Sequence, residues 1–240
     1  MINTDPLTLS QLTGLEDVHL VTLHDDHRLH AAAAEAFSAL QADARQAGFE
    51  LAIASAFRSF DRQLTIWNAK ADGSRQVHDD RGRAVDMSAL SPEGKLQAIL
   101  RYSAMPGSSR HHWGSDLDVY DAGAVADDYR VQLSPVEVEE GGVFDPLHCW
   151  LDQRMAAGES HGFYRPYAVD RGGVAPERWH LSYAPLALTC TRQLTPSSLL
   201  ASWDALQGDR TLLLRDQLEA DLPALFERYV QVPAGWCPRP

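Results

Sequence analysis

The sequence lacks any apolar run near the roughly 20 residues that a membrane-spanning helix requires. Its N-terminus, MINTDPLTLSQLTG, has neither the basic nor the apolar segment of a secretory signal. Cysteine is scarce, and Cys149, Cys190 and Cys237 are widely spaced and odd in number. That pattern suits a reducing compartment better than a disulfide framework. Together these absences predict a cytoplasmic protein without a membrane span.

Basic residues are also fewer than acidic residues. The chain has 21 Lys and Arg against 33 Asp and Glu, for a formal net charge of -12. An acidic balance of this size disfavours nucleic acid or an anionic membrane as the main partner. We find no internal repeats and no low-complexity segment. The 240 residues, 45% of them hydrophobic, suit one well-buried globular domain.

Periodicity and capping signals predict a mixture of helices and strands. Helices are expected at 27–47, 61–71, 92–102 and 145–158 and through most of the chain after 195, strands at 49–57, 115–120 and 176–184, a loop at 72–86, and a hairpin at 131–145 around Gly141-Gly142.

These elements predict a compact α+β fold, in which a small antiparallel sheet packs on the N-terminal helices. We expect a main domain at 1–190 and a helical C-terminal extension at 191–240 that packs on the same body. The apolar face of this extension would cover the main body or, alternatively, form a dimer contact, and the oligomeric state stays open. That face comprises Leu199, Leu200, Trp203 and Leu206.

Two short segments concentrate residues that can bind metal. Residues 109–118 read SRHHWGSDLD, and residues 177–180 read ERWH. A hydrolytic zinc site needs three protein ligands and an open fourth position, and two histidines with one carboxylate are a known ligand set. A further carboxylate must take a proton from the attacking water. If both segments meet on one sheet, they can supply all of these groups.

The spacing of the second segment constrains where Glu177 lies. Glu177 and His180 are separated by three residues, an odd number that would put them on opposite faces of an ideal strand. Glu177 must therefore lie before the strand, in the turn after Pro176.

The first segment needs a bend. His111 and Asp118 are seven residues apart, and Gly114 between them permits the turn that would bring both side chains to one point. Asp116 shares a strand face with Asp118 and is the rival ligand. Spacing alone leaves that choice open.

The motifs together resemble a known family. The pattern Ser-x-His-x-x-Gly-x-x-x-Asp at 109–118, followed by Glu-x-Trp-His at 177–180, is similar to that of the VanY-type D-alanyl-D-alanine carboxypeptidases. These are zinc metallopeptidases of the LAS type, related to D-Ala-D-Ala dipeptidases and to the zinc-bearing N-terminal domain of Hedgehog proteins. Residues 55–63, SAFRSFDRQ, resemble the family's Ser-Gly-Tyr-Arg-Ser segment and its following Gln. The resemblance spans about residues 30–185.

The resemblance implies a role for each motif residue. His111, Asp118 and His180 would bind one zinc ion per chain, although manganese or cobalt could substitute. Glu177 would act as general base and then as general acid, and Arg58 would stabilise the oxyanion of the scissile carbonyl. The residues implied to hold or enclose the substrate are Ser55, Gln63, Ser109 and Trp179. Departures are mild: Ala56 replaces the usual Gly, and Phe57 replaces Tyr and so lacks its hydroxyl.

The implied activity is removal of a C-terminal D-alanine from peptidoglycan stem peptides. With no secretory signal seen, we expect an L,D-carboxypeptidase that acts on tetrapeptide muropeptides during recycling, because a cytoplasmic D,D-carboxypeptidase would destroy wall precursors. A D,D-carboxypeptidase or D-Ala-D-Ala dipeptidase is the alternative within the fold. A non-catalytic zinc-stabilised binding module is disfavoured because the ligands, Glu177 and Arg58 occur together. Ser109 as a nucleophile is disfavoured because it lies on no strand–turn–helix elbow.

Overall fold

A computed structural model describes residues 6–208 and 210–232. Its helices are α1 Leu9–Leu12, α2 Ala31–Gln46, α3 Phe60–Ala71, α4 Pro92–Leu100, α5 Pro135–Val138, α6 Asp145–Ala157, α7 Ala184–Gln193, α8 Pro196–Asp204, α9 Arg215–Ala220 and α10 Leu222–Tyr229. Its strands are β1 Leu20–Thr22, β2 Arg28–His30, β3 Leu51–Ser55, β4 Asp116–Asp121, β5 Phe163–Tyr164 and β6 His180–Tyr183. None of the described helices has the length and apolar character needed to cross a bilayer.

The main sheet is antiparallel, with strand order β3-β4-β6-β5, and β1 and β2 form a separate two-stranded ribbon. Asp118 in the middle strand pairs with Ser55 on one side and with His180 on the other. A register shift between Ile53 and Ser55 accompanies this alignment. Directly opposed residues on neighbouring strands share a face, so three polar side chains lie in one row across the sheet.

Helix α2 packs behind the sheet through its contacts with β3 and with the β1–β2 ribbon. Its Phe37 and Leu40 are at most 1% exposed and recur at helical spacing along its core face. The predicted α+β class and its small antiparallel sheet are therefore confirmed. The predicted helix at 27–47 begins later, at Ala31, because residues 28–30 form β2 and the imidazole Nδ1 of His30 accepts a hydrogen bond from Ala32 N at 3.3 Å.

The C-terminal helices pack against the same body. Trp203 donates its indole N–H to the carbonyl of Pro106 at 2.8 Å, and Trp67 of α3 donates to Leu213 at 2.9 Å. Both rings are fully buried, so these bonds satisfy donors that would be costly to leave unpaired. Helix α7 runs across residue 190, where the two predicted domains meet. That division and a dimer contact through these helices stay predictions, and Cys237 lies outside the described residues.

The predicted hairpin at 131–145 is wrong. Helix α5 forms there, and Ser134 and Glu137 build a capping box at its start. The carboxylate of Glu137 also accepts hydrogen bonds from Gln132 N and from the hydroxyl of Tyr129. Ser followed three residues later by Glu is a helix-start signal. This signal outweighs the turn tendency of Gly141-Gly142.

The helices predicted at 61–71, 92–102 and 145–158 are present as α3, α4 and α6. Ser59 caps α3, and Ser91 caps α4 with Pro92 in its first turn. Gly158 ends α6 with a left-handed φ of 73°. The loop at 72–86 is free of helix and carries one isolated bridge between His78 and Ala84. Cys149 and Cys190 are free thiols.

Candidate metal centre and catalytic cleft

Three buried side chains converge on the open face of the sheet. One ligand atom from each of His111, Asp118 and His180 lies within 4.8 Å of the other two. His111 Nε2 is 3.5 Å from Asp118 Oδ2, and His180 Nδ1 is 3.3 Å from Asp118 Oδ1. Two imidazoles and one carboxylate match the donor set of a catalytic metal site. The cluster can therefore hold a metal ion.

The remaining ring nitrogens are held by other groups. His111 Nδ1 lies 2.9 Å from the carbonyl of Ala56, and His180 Nε2 lies 2.9 Å from Asp116 Oδ1. A hydrogen on each of these nitrogens leaves the opposite nitrogen free to bind metal. Such outer contacts orient metal-binding histidines and select their tautomer. Both rings are thus oriented toward one centre.

A sharp bend brings His111 beside the sheet. His111 lies in a single 3-10 turn, Arg110–Trp113, which ends at Gly114 with a left-handed φ of 70°. The Gly114 carbonyl accepts a hydrogen bond from His30 N at 2.9 Å, and a β-carbon at this position would lie 2.8 Å from the same nitrogen. Only glycine combines this φ with so close an approach. The bend expected from spacing is present.

Asp116, the rival ligand, lies behind His180 in a buried charge network. Its Oδ1 accepts a hydrogen bond from Arg110 Nε at 2.8 Å, and both side chains are at most 1% exposed. Arg110 also donates to the hydroxyls of Tyr164 and Ser182, each at 2.7 Å. Burial works against the charged form of Asp116, yet Arg110 and His180 hold its pKa well below the usual range. A carboxylate so fully engaged is a positioning group for His180.

Glu177 lies at the mouth of the cluster. Its Oε2 is 3.4 Å from His180 Nδ1, and its side chain is 14% exposed where that of His180 is 4% exposed. The Glu177 carbonyl accepts a hydrogen bond from His180 N at 3.1 Å, so Glu177 lies in the turn before β6 as the spacing predicted. Burial raises the pKa of Glu177. A carboxylate of raised pKa beside a metal site is suited to proton transfer.

Hydrogen bonds within the cluster also set its charge. Burial disfavours the charged form of Asp118, but His111, His180 and Arg58 hold its pKa below the usual range. Burial lowers the pKa of His111 to about 4. For His180 burial acts in the same direction, but its bonds with Asp116, Asp118 and Glu177 dominate and raise its pKa.

Arg58 faces the cluster from the turn between β3 and α3. Its Nη1 donates to Gln63 Oε1 at 3.0 Å, and its Nη2 donates to Ser55 Oγ at 3.4 Å. Burial lowers the pKa of Arg58, and the charges of Asp118 and Glu177 oppose this. The side chains of residues 55, 58 and 63 therefore form one connected group beside the cluster.

The remaining sequence candidates, Ser109 and Trp179, lie outside this bonded group. Ser109 is buried directly before the turn that carries His111, and its side chain makes no capping bond. Trp179 packs with Val138 and Phe144 in a small apolar cluster, and with Tyr167 it lines a neighbouring cavity. Their roles in holding substrate stay predictions.

Sequence reasoning missed several neighbours of the centre. The ring of Tyr167 meets His180 edge-on, with centroids 5.1 Å apart. Burial raises the pKa of Tyr102, with Asp80 and, to a smaller extent, Glu177 adding to this, and the charge of Glu177 also acts on Lys70. No spacing signal marks these residues, because they reach the cleft from separate loops and from the far end of α3. Arg110, which bonds to Asp116, was also missed. It lies within the motif at 109–118, so its position could have suggested this contact.

Comparison with known proteins gives the family. The model of the VanY family, D-alanyl-D-alanine carboxypeptidase, matches residues 26–186. A Haemophilus influenzae protein described as uncharacterized is 48% identical over 103 residues, covering 41% of this chain and 70% of that protein. A second uncharacterized protein of that organism is 32% identical over 125 residues, covering 51% of this chain and 90% of its own length.

Solved structures share the fold at low sequence identity. VanYB in complex with D-alanine-D-alanine has a TM-score of 0.51 at 20% identity, with 85% of this chain and 96% of that chain covered. A vancomycin-resistance D,D-pentapeptidase VanY in complex with Zn(II) has a TM-score of 0.51 at 22% identity, with 82% and 95% covered. The LdcB LD-carboxypeptidase has a TM-score of 0.50 at 20% identity, with 81% of each chain covered. With its family model matched over most of the chain and its fold shared with these enzymes, this protein belongs to the VanY D-alanyl-D-alanine carboxypeptidase family.

Proposed function

We propose that the chain is a zinc-dependent carboxypeptidase that releases the C-terminal D-alanine of peptidoglycan stem peptides, with the tetrapeptide as its preferred substrate. The observation that carries this proposal is the convergence of His111, Asp118 and His180 with Glu177 3.4 Å from His180. The Zn(II) complex of a VanY pentapeptidase with the same fold supports zinc as the metal.

A zinc ion bound by His111, Asp118 and His180 would polarise the scissile carbonyl and make a water molecule easier to deprotonate. Glu177 accepts the proton of the attacking water at its carboxylate, which is only partly buried. It then delivers that proton to the nitrogen of the departing D-alanine. Its raised pKa suits both steps, because a group that must accept and return a proton works best with a pKa near the working pH.

Arg58 stabilises the negative charge that develops on the scissile carbonyl oxygen. Its bonds to Gln63 and Ser55 hold the guanidinium in place before substrate binds. A cation fixed in advance needs no reorganisation during the reaction. This arrangement argues against a purely structural zinc module, which would need neither Arg58 nor Glu177.

The choice between L,D and D,D activity depends on the chirality of the residue before the scissile bond. An L,D enzyme cuts after the L-centre of the diamino acid in the tetrapeptide, and a D,D enzyme cuts between two D-alanines. The fold accommodates the first activity, because the LdcB LD-carboxypeptidase has it. Tetrapeptide trimming would belong to muropeptide recycling, and we propose a cytoplasmic location that cell fractionation can test.

Incubation of zinc-replete enzyme with tripeptide, tetrapeptide and pentapeptide stems tests the proposal. We expect chelator-sensitive release of D-alanine from the tetrapeptide, and none with Glu177→Ala. Cleavage of the pentapeptide alone would keep the zinc chemistry and reject L,D specificity. Hydrolysis of free D-Ala-D-Ala would indicate a dipeptidase. No release from any peptide would favour the binding module.

A further inference from the structure

Helix α3 carries a lysine, Lys70, that the proposed reaction has not used. Lys70 follows Gln63 by seven residues, two helical turns, so the two side chains share a face of α3. Gln63 Nε2 donates to the carbonyl of Ala104 at 2.7 Å, and Lys70 Nζ donates to Ser103 Oγ at 2.6 Å. The segment 103–104 thus lies along α3 and contacts both side chains, and Gln63 is in turn bonded to Arg58.

The partners of this lysine are neutral. Among residues 6–208 and 210–232, no carboxylate lies within ion-pair distance of Lys70, and none lies within that distance of Arg58. Burial, together with the charges of Arg75 and Arg58, lowers the pKa of Lys70 to about 8, and the charge of Glu177 opposes this. Several cations therefore repel one another in a protein whose net charge is -12. A bound anion would relieve that repulsion.

The chemistry of the proposed reaction puts an anion close to this position. The leaving D-alanine carries its carboxylate on the carbon attached to the nitrogen that Glu177 protonates. With the carbonyl oxygen at Arg58 and the nitrogen at Glu177, the carboxylate extends beyond Glu177. Lys70 is a cation near this position, because the segment 103–104 contacts both Lys70 and Gln63, and Gln63 is bonded to Arg58. The charges of Arg58 and Glu177 both act on the pKa of Lys70.

We propose that Lys70 binds the C-terminal carboxylate of the substrate and so makes this enzyme a carboxypeptidase rather than an endopeptidase. The proposal rests on the proposed release of a terminal D-alanine. Ser103 positions the ammonium group before substrate arrives. Arg75 adds positive potential at the same end of α3 without touching the scissile bond.

The composition of the chain provides a natural control. It contains only two lysines, Lys70 and Lys95. Lys95 lies on α4, where it is partly exposed and belongs to none of the contacts described for the cleft. Lys95→Met therefore matches Lys70→Met in chemistry and differs from it in location.

The kinetic test compares the tetrapeptide with its C-terminal amide, using zinc-replete wild type, Lys70→Met, Lys70→Arg and Lys95→Met. We expect the wild type to prefer the free acid by about 10- to 100-fold in kcat/KM, the range typical of a charge-assisted hydrogen bond. Lys70→Met should lose this preference, mainly through KM, and Lys70→Arg should retain part of it. Lys95→Met should match wild type. Persistence of the full preference in Lys70→Met would overturn the proposal.

A binding measurement separates this inference from the proposed function. In the zinc-loaded Glu177→Ala protein labelled with 13Cε-lysine, the Lys70 signal should shift with the free-acid tetrapeptide and not with the amide, while the Lys95 signal stays in place. That shift in an enzyme whose wild type cleaves no stem peptide would reject the proposed function and support the carboxylate site. Equal shifts with acid and amide, or no shift, would reject the site whatever the activity. If the pentapeptide proves to be the substrate, its acid and amide forms replace those of the tetrapeptide.

Discussion

The two walls of the catalytic cleft differ in the partners of their charged side chains. On the sheet wall, formed by β4 and β6, Arg110 is fully buried and donates to one carboxylate and three hydroxyls. The carboxylate, that of Asp116, in turn meets His180. On the helix wall, the hydrogen bonds that Arg58 and Lys70 make among the described residues all go to neutral oxygens, those of Gln63, Ser55 and Ser103.

This difference separates two tasks. A fully satisfied buried network has one low-energy arrangement, so it fixes the histidines that face the metal centre. A wall of cations with neutral partners keeps its capacity to bind an added anion. The sheet wall is therefore expected to govern folding and metal affinity, and the helix wall is expected to govern substrate binding and turnover.

Glu177, between the walls, should give the largest effect on turnover. We expect Glu177→Gln to lower kcat by about 10²- to 10⁴-fold, because it cannot move the proton between water and leaving amine. Zinc content, measured by elemental analysis, should stay at the wild-type level. Glu159→Gln, an exposed carboxylate bonded to Arg154, is the control. A rate for Glu177→Gln close to wild type would remove Glu177 as the base.

Substitution of the arginines on the two walls should have different effects, on turnover for Arg58 and on stability for Arg110. Arg58→Lys should lower kcat by about 10²-fold, because the ammonium cannot match the fixed guanidinium at the developing oxyanion. Its free energy of unfolding in urea should change little. Arg110→Met should instead lose about 3–5 kcal/mol of that free energy, since it leaves Asp116 buried without its cation. A loss of stability in Arg58→Lys together with a loss of kcat alone in Arg110→Met would contradict the separate tasks assigned to the two walls.

Removal of the negative charge of Asp116, which lies behind His180, should weaken metal binding although Asp116 is not a proposed ligand. Asp116→Asn is expected to reduce zinc affinity by about 10- to 100-fold, the usual cost of altering a group that orients a ligand. Competition with a chromophoric chelator measures it. Asp121→Asn is the matched control, because Asp121 is buried on the same strand and bonds to Glu50 N and Gly123 N instead. Equal affinities for the two variants would contradict the role assigned to Asp116.

A buried histidine outside both walls, His148, contributes to the pH dependence of folding. His148 is fully buried beside Arg165, and burial, with the Arg165 charge, lowers its pKa from 6.5 to about 3. Between these values the unfolded chain binds one more proton at this site than the folded protein. Stability should therefore fall as pH falls through that window, by at most about 1.4 kcal/mol per pH unit for this one group.

Urea unfolding from pH 7 to pH 4 measures that slope. We expect His148→Gln, which keeps a hydrogen-bond acceptor for Arg165, to show a slope shallower by about one proton. Above pH 6.5, the free energies of unfolding of wild type and His148→Gln should change with pH at the same rate. An unchanged slope would mean that His148 is charged in the folded protein.

Local signals in the sequence predicted much of the fold. Ser91 marks the start of the helix expected at 92–102 and Gly158 marks the end of the one expected at 145–158, because a cap or a left-handed turn depends on neighbouring atoms only. The odd spacing of Glu177 and His180 likewise predicted that Glu177 precedes the strand. The hairpin at 131–145 failed where a second local signal, Ser134 with Glu137, competed with a glycine pair.

The sequence by itself determined which residue types meet at the centre, their order, and the bend at Gly114, since these depend on motif spacing and on one backbone conformation. Only the tertiary structure decided how Asp116 and Asp118 differ. Strand alternation puts both on one face, and pairing with β6 sets Asp118 opposite His180 and Asp116 opposite Ser182. It also decided that Lys70 lies near Gln63 and Arg58, because the segment at 103–104, from a distant part of the chain, contacts both Lys70 and Gln63. Contacts between strands and loops far apart in sequence leave no local pattern, so only the folded structure shows them.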